Sequence, residues 1–196
     1  MPESTMLRFI QLLPQVSPKA DFLLKDLPGS GNRIDVLCRV LAACFDWGPI
    51  SWSLSKLEVI AVIGSSKSLT FSTPNEQSPK GEVGWASVIR ESLKGTPPSY
   101  VTALDEKLED IVKRLKHSER SSIWVLDEAG TSLYGIKTID VNTQNSFMLG
   151  DHRGFDSESE RIISEYNIQR ISLGKKSYLS SHCLAAIIAE FERKSD

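Results

Sequence analysis

The sequence predicts an α/β sandwich with a largely parallel sheet and helices on both faces, and two patterns carry that prediction. The stretch LEVIAVIG, Leu57 to Gly64, is β-branched and nearly all apolar, as expected of a strand buried on both faces of a parallel sheet. Around it, short apolar runs bounded by Gly, Pro, Asp and Ser alternate with longer segments of helical spacing, the order that strand-helix-strand units produce.

The first element is MLRFIQLL, Met6 to Leu13, a strand closed by Pro14 and followed by a polar connection containing Pro18. After the loop LPGSG, apolar residues at Ile34, Leu37, Leu41 and Cys44, filled in by Val36, Val40 and Phe45, predict a core-facing helix from Asn32 to Phe45. The Leu57–Gly64 strand comes next. A loop STPNEQSPKG leads to a short helix, Glu82 to Leu93, ended by the Pro97-Pro98 pair. Leu104, Leu108, Ile111, Val112 and Leu115 then form one side of a longer amphipathic helix, Thr102 to His117. SIWVLDE, SFMLGD and IQRISLG read as three more strands, each running into a loop rich in Gly, Asp or Ser. The last element is a helix from His182 to Lys194 with Leu184, Ile187, Ile188 and Phe191 inward. No internal repeat or linker interrupts the order, so a single domain over 1–196 is expected.

Composition narrows the function. Apolar residues are 40% of the 196 and charged residues 24%, the balance of a globular chain able to bury a sizeable core. A net charge of −2 and a pI near 6.0 exclude a chain that is basic throughout, so any contact with RNA or DNA must come from a local patch. Cys38, Cys44 and Cys183 are too few and too unevenly spaced for a disulfide framework, and no Cys-x-x-Cys pair is present for zinc; a reducing cytoplasm is expected. No cationic, apolar leader pattern opens the chain, and no apolar run nears the roughly 18 residues that span a bilayer. Neither export nor membrane insertion is expected, and no metal is required.

In an open parallel sheet ligands collect at the carboxyl ends of the strands, here after Leu126, after Leu149 and after Leu173. Three loops carry the chemistry. PGSGNRID, Pro28 to Asp35, lacks the Gly-Lys-Ser/Thr of a nucleotide phosphate loop and the third glycine of a dinucleotide fingerprint. As a helix start it fits better: Asn32 is a good cap and Asp35, three positions on, complements the helix dipole. Arg33 does not fit that role, because a cation at a helix start is mildly unfavourable, and it points to an anionic partner. In FMLGDHRGFDSESE, the Ser157 to Glu160 spacing is a capping box, whereas the two glycines around Asp151, His152 and Arg153 suggest either a ligand loop or ordinary surface polarity. In RISLGKKSYLSSHC, Ser180 or Ser181 is placed to cap the last helix. Cys183 then lies in its first turn, either with a thiol acidified by the dipole or as a small buried residue. A Cys-His catalytic pair is excluded, since adjacent helical side chains diverge by about 100°. The basic run KRLKHSER, Lys113 to Arg120, reads as a solvated helix end, with RNA contact as the other reading.

Taken together, DLPGSGNRIDVLCR, LGDHRGF and ISLG…YLSSHC resemble the TrmY family of pseudouridine N1-methyltransferases in the SPOUT superfamily, and the three motifs span Asp26 to Cys183. The resemblance implies a three-layer α/β sandwich whose C-terminal segment, roughly 145–196, closes a deep trefoil knot that holds S-adenosylmethionine. By motif position Leu126, Leu149, Gly150, Asp151, Ser172, Leu173, Gly174, Leu179 and Cys183 are expected to line the cofactor. Arg33 and Asp35 are expected to complete the site, Arg33 on a phosphate or uracil-like carbonyl and Asp35 as base or orienting group. The partners implied are a second copy of the chain and a structured RNA containing pseudouridine, tRNA or rRNA, with the target base splayed out of its loop. Two other functions fit the family's fold: a dimer that binds S-adenosylmethionine or RNA without catalysis, and a ribose 2′-O-methyltransferase. The sequence departs from the family pattern at PNEQ, Pro74 to Gln77, where relatives typically read Pro-Asp-Glu-Arg, and at SKLE, Ser55 to Glu58, in place of an Arg-Asp.

Overall fold

A computed structural model describes residues 5–46, 56–74, 78–136 and 139–195. Seven strands form one sheet: β1 (Met6–Leu13), β2 (Leu57–Ile63), β3 (Lys67–Phe71), β4 (Val101–Leu104), β5 (Ser121–Ser132), β6 (Gln144–Leu149) and β7 (Gln169–Ser172). Their spatial order is β4-β3-β2-β1-β6-β5-β7. β2, β1, β6, β5 and β7 are mutually parallel; among the described strands only β3 runs against them, and the edge strand β4, antiparallel to β3, shares their direction again. The α/β class and the mostly parallel sheet are therefore as expected.

Among the described residues six α-helices flank the sheet: α1 (Leu27–Ser30), α2 (Asp35–Leu41), α3 (Gly81–Leu93), α4 (Leu108–His117), α5 (Ser157–Glu165) and α6 (Ser180–Ser195). Alternation along the central strand sorts them into two layers. Leu7, Phe9 and Leu13 of β1 pack with α2, α3 and α6, whereas Ile10 and Leu12 pack with α4 and α5. The first core is tied together by aromatic rings. Phe147 stacks on Phe9 at 6.2 Å between centroids and meets Phe191 of α6 edge-on at 5.7 Å. No helix among the described residues is long and apolar enough to cross a membrane.

Several boundaries differ from expectation. The Thr102–His117 helix divides: Val101–Leu104 is strand β4, paired antiparallel with β3, and helix begins only at Leu108. Asp110 accepts the Lys107 N–H at 3.1 Å and fixes that start, while Leu104 is exposed. Strand β3, which follows the Gly64 turn, carries too short an apolar run to announce itself. The Asn32–Phe45 helix is α-helical only from Asp35, continues as a π-helical turn over Ala42–Asp46, and leaves Asn32 outside. Asn32 caps nothing. Asp26 caps the short α1 instead, accepting from Gly29 N–H at 3.2 Å and Ser30 N–H at 3.0 Å, so the glycines of PGSG belong to a helical turn. The α5 cap is likewise Asp156, one residue before the expected Ser157, with its carboxylate on the Ser159 N–H at 2.8 Å. Of the two departures from the family pattern, Asn75 to Gln77 and Ser55 lie outside the described residues.

Strand β5 is longer than SIWVLDE implied, because its pairing with β7 resumes after a bulge: Leu126 and Thr131 both face Ile171. Gly130 makes that bulge possible. A Cβ there would lie 2.6 Å from the Ile171 nitrogen, inside any tolerable contact. Gly130→Ala is expected to cost about 1–3 kcal/mol in urea denaturation through overpacking. Gly135→Ala, where nothing lies within 4 Å, is the control and should stay within about 0.5 kcal/mol.

Candidate functional site

The carboxyl ends of β5, β6 and β7 open into a cleft of about 770 Å³, within the roughly 300–1,000 Å³ of small-molecule sites. Leu126, Leu149, Gly150, Asp151, Leu173, Gly174, Leu179 and Cys183 line it, and so does Arg33. Ser172 lies one residue behind the wall, where its hydroxyl donates to the Gly174 carbonyl at 2.7 Å and accepts the Gly174 N–H at 3.0 Å. It shapes the turn that presents Leu173. Leu126, Leu149 and Leu173 supply apolar surface from three strands, and the loops between them supply backbone polar groups.

The β6 loop is a tight turn. The Asp151 N–H donates to the Gly154 carbonyl and the Gly154 N–H to the Asp151 carbonyl, both at 3.1 Å, while the Asp151 carboxylate accepts the Arg153 N–H at 2.6 Å. A Cβ on Gly150 would meet the Gly154 oxygen at 2.7 Å, and Gly154 itself has φ +87°. Both glycines are thus steric requirements of the turn, which settles why they bracket Asp151, His152 and Arg153. His152 and Arg153 join the cleft wall.

Across the cleft, Asp35 is a buried hub rather than part of the wall. Its side chain is 2% exposed and binds two guanidiniums: Arg33 by a fork of 3.0 and 3.2 Å, and Arg39, one helical turn on, at 2.7 Å. Burial pushes the Asp35 carboxyl up, but hydrogen bonds and charge from Arg33 and Arg39 outweigh it and hold the carboxyl below the usual range. A carboxylate so held is a poor proton acceptor at neutral pH. Arg39 also lines the cleft, and sequence reasoning missed it; its i, i+4 spacing from Asp35 was the available signal. Asn32 and Arg33 both take left-handed backbone, φ +47° and +71°, a strain of about 1 kcal/mol or more for a residue such as Arg. The surrounding bonds impose it: Arg33 N–H donates to the Pro28 carbonyl at 3.1 Å while its side chain is committed to Asp35.

Cys183 is not acidified. Burial, aided by the charge of Glu128, pushes its thiol up to about 11. The Leu179 carbonyl receives the His182 and Cys183 N–H groups at 2.8 and 3.0 Å, so Ser180 and Ser181 form the first turn of α6 instead of capping it. The basic run at the end of α4 is partly neutralised by neighbouring acids, with Lys116 on the Tyr166 carbonyl. Lys113 pairs with Glu109 at 2.9 Å and Arg114 with Glu106 at 3.1 Å, as a solvated helix end should. Among the described residues no group of His, Cys, Asp and Glu side chains is arranged to hold a metal ion.

The profile of the family described as "Putative SAM-dependent RNA methyltransferase" matches residues 6–195. The chain belongs to that family. The tRNA (pseudouridine(54)-N(1))-methyltransferase of Thermococcus onnurineus is 30% identical to this methyltransferase over 200 residues, covering 93% of this chain and 95% of its own. The enzyme of the same name from Thermococcus gammatolerans is 32% identical over 202 residues, with the same coverage of 93% and 95%. The resemblance to pseudouridine N1-methyltransferases therefore extends beyond the three motifs to 93% of the chain. Among solved structures, Archaeoglobus fulgidus Nep1 bound to S-adenosylhomocysteine superposes with a TM-score of 0.65, covering 98% of this chain and all of its own at 16% identity. That likeness shows that the two chains share one α/β fold.

Two outcomes follow for this methyltransferase. Because folding lowers the Asp35 pKa, its stabilisation is complete above the unfolded value of about 4 and is lost as pH falls through the lower folded value. Asp35→Asn should therefore reduce stability by about 1.5–3 kcal/mol, a difference from wild type that is constant between pH 6 and 9 and shrinks below pH 4 in denaturant titrations. Alkylation of Cys183 by iodoacetamide should be slower at pH 8 than that of a free cysteine with its pKa of about 8.5. Its rate should still be climbing at pH 10.

Proposed function

We propose that this chain methylates N1 of a pseudouridine in tRNA, using S-adenosylmethionine. What carries the reading is the meeting, around one cleft, of three motifs that lie far apart in the chain, opposite a pair of arginines held by a buried carboxylate. The names of the Thermococcus relatives supply the substrate. The cleft suits the cofactor: Leu126, Leu149 and Leu173 would enclose its adenine, backbone groups beside the turns, at Gly150 and Leu173, would bond the ring edges, and Glu128 and Asp151 give carboxylates for a cation. Bound there, S-adenosylmethionine supplies an electrophilic methyl group.

The chain's own residues bind and orient the RNA. Arg33 and Arg39 face the cleft with guanidiniums already fixed by Asp35, which suits a phosphate or base carbonyl of the target nucleotide without further loss of side-chain freedom. Asp35 holds these groups in place and is not the proton acceptor. Tyr178 and Leu179, 51% and 55% exposed at the cleft rim, are apolar surface that a second copy of the chain would cover, giving a homodimer. The single domain, 1–196, carries a deep trefoil knot in roughly 145–196. A cytoplasmic site of action accords with a tRNA substrate.

Incubation of the protein with methyl-labelled S-adenosylmethionine and a tRNA transcript, with and without pseudouridine installed in its T-loop, tests the proposal. Label should enter only the pseudouridine-containing RNA, at N1. Cofactor binding without transfer would leave the non-catalytic binder, and label on ribose the 2′-O-methyltransferase. Arg33→Ala and Arg39→Ala should each lower kcat/KM for tRNA by about 10–100-fold, the loss of one charge-assisted contact. S-adenosylmethionine affinity should change little.

A further inference from the structure

We infer that Gln11 is a positioning residue that fixes the peptide joining Gly150 to Asp151 and so keeps the cleft in its cofactor-binding shape; the inference rests on the methyltransferase reading of that cleft. Gln11 is fully buried in β1, in register with Leu149 of β6. Central strands of parallel sheets are expected to be apolar at such positions, and an amide placed there destabilises unless it is fully hydrogen-bonded. This one is only half satisfied. Its Nε2 donates to the Gly150 carbonyl at 2.9 Å and to the Leu12 carbonyl at 3.1 Å. Its Oε1 has no hydrogen-bond partner among the described residues. Turning the amide over gives no relief, because Oε1 would then face the Gly150 oxygen.

The useful atom is therefore Nε2, and its target explains why. A trans peptide points its C=O and its N–H in opposite directions. The Gly150 carbonyl is held by Gln11, and the Asp151 N–H on the other edge of the same plane is held by the Gly154 carbonyl at 3.1 Å. One peptide is thus gripped at both ends. It adjoins Gly150, whose lack of a side chain leaves the plane freer to turn than any other residue would, and both Gly150 and Asp151 line the cleft. A polar group that the core would be better without, retained where it orients the cleft, is the pattern of stability conceded to function.

Two variants test this: Gln11→Met, which keeps the length of the side chain and removes both polar atoms, and Gln11→Glu, which keeps the length and removes the donor. In the cofactor-free protein, hydrogen exchange of the Asp151 amide, followed by NMR, should rise about tenfold in both relative to the amides of β1. Calorimetric titration with S-adenosylmethionine should show affinity about tenfold weaker in both. Melting temperature separates them: Gln11→Met should equal or exceed wild type, since the orphaned acceptor is gone, and Gln11→Glu should fall. Unchanged exchange at Asp151 in Gln11→Met overturns the inference, as does a loss of affinity in that variant accompanied by a lower melting temperature, which would make Gln11 an ordinary core contact. A wild-type chain that binds no S-adenosylmethionine would defeat the cofactor reading alone, because the exchange measurement still decides whether Gln11 holds the peptide.

Discussion

The parallel pairing of β5 between β6 and β7 is the constraint on which the site depends. Parallel neighbours need a crossover connection, so the three strands all start at one end of the sheet and finish at the other. Register does the rest. Trp124 faces Phe147 and Val125 faces Met148 across β5 and β6, and Leu126 faces Ile171 across β5 and β7. One residue further along, Leu126 and Leu149 come abreast, with Leu173 just past the end of β7. Segments far apart in sequence become the walls of one cleft with no long-range recognition beyond strand register. A slip of one residue in any of the three would turn these leucines to the opposite face of the sheet.

The opposite wall is organised by a buried charge instead of by packing. A carboxylate as enclosed as Asp35 needs full compensation, and Arg33 and Arg39 provide it. The compensation runs both ways, because each guanidinium loses most of its conformational freedom before any ligand arrives. That explains why strained backbone is tolerated at Arg33: relaxing it would carry the guanidinium away from Asp35 and leave the buried charge half paired. The same clamp makes Asp35 a weak base, since two cations stabilise the ionised form that a base must give up.

Strands β1 and β2, helices α3 and α6, and the three cleft leucines were legible because hydrophobic period and strand ends follow directly from residue type. The failures were local competitions. Leu104 fits a helical stripe, yet β-branched Val101 and Thr102 paired as an edge strand with β3, whose five residues, Lys67–Phe71, show too little alternation to be noticed. Asn32 and Ser157 were sound caps by composition, but α2 starts without a side-chain cap, behind a short α1 that Asp26 caps, and α5 is capped by Asp156, because backbone geometry and not composition decides which side chain reaches the free N–H groups. Arg39 and Gln11 were invisible for another reason. Each sits within an element whose apolar pattern accounts for its neighbours, and only the fold shows which groups they face.

Charge placement completes the picture of how a chain of net charge −2 meets a polyanion. On the α4–α5 side the cations are spent on local acids: Arg161 binds Glu109 at 3.1 Å and Glu158 at 2.9 Å, and hydrogen bonds from Lys113, Arg161 and Tyr166 hold the Glu109 carboxyl down at about 2. That face presents paired charges, whose field cancels within a few ångströms of the surface. Around the cleft the balance differs. Arg153 and Lys176 line it without an ion pair among the described residues, and Arg33 remains 38% exposed while bound to Asp35. An RNA backbone gains from releasing counterions only where protein cations are not already neutralised, so under the proposed function the cleft, and not the α4–α5 face, is the side expected to meet RNA. Net charge alone would have argued against RNA; the distribution of partners argues for it, at one place.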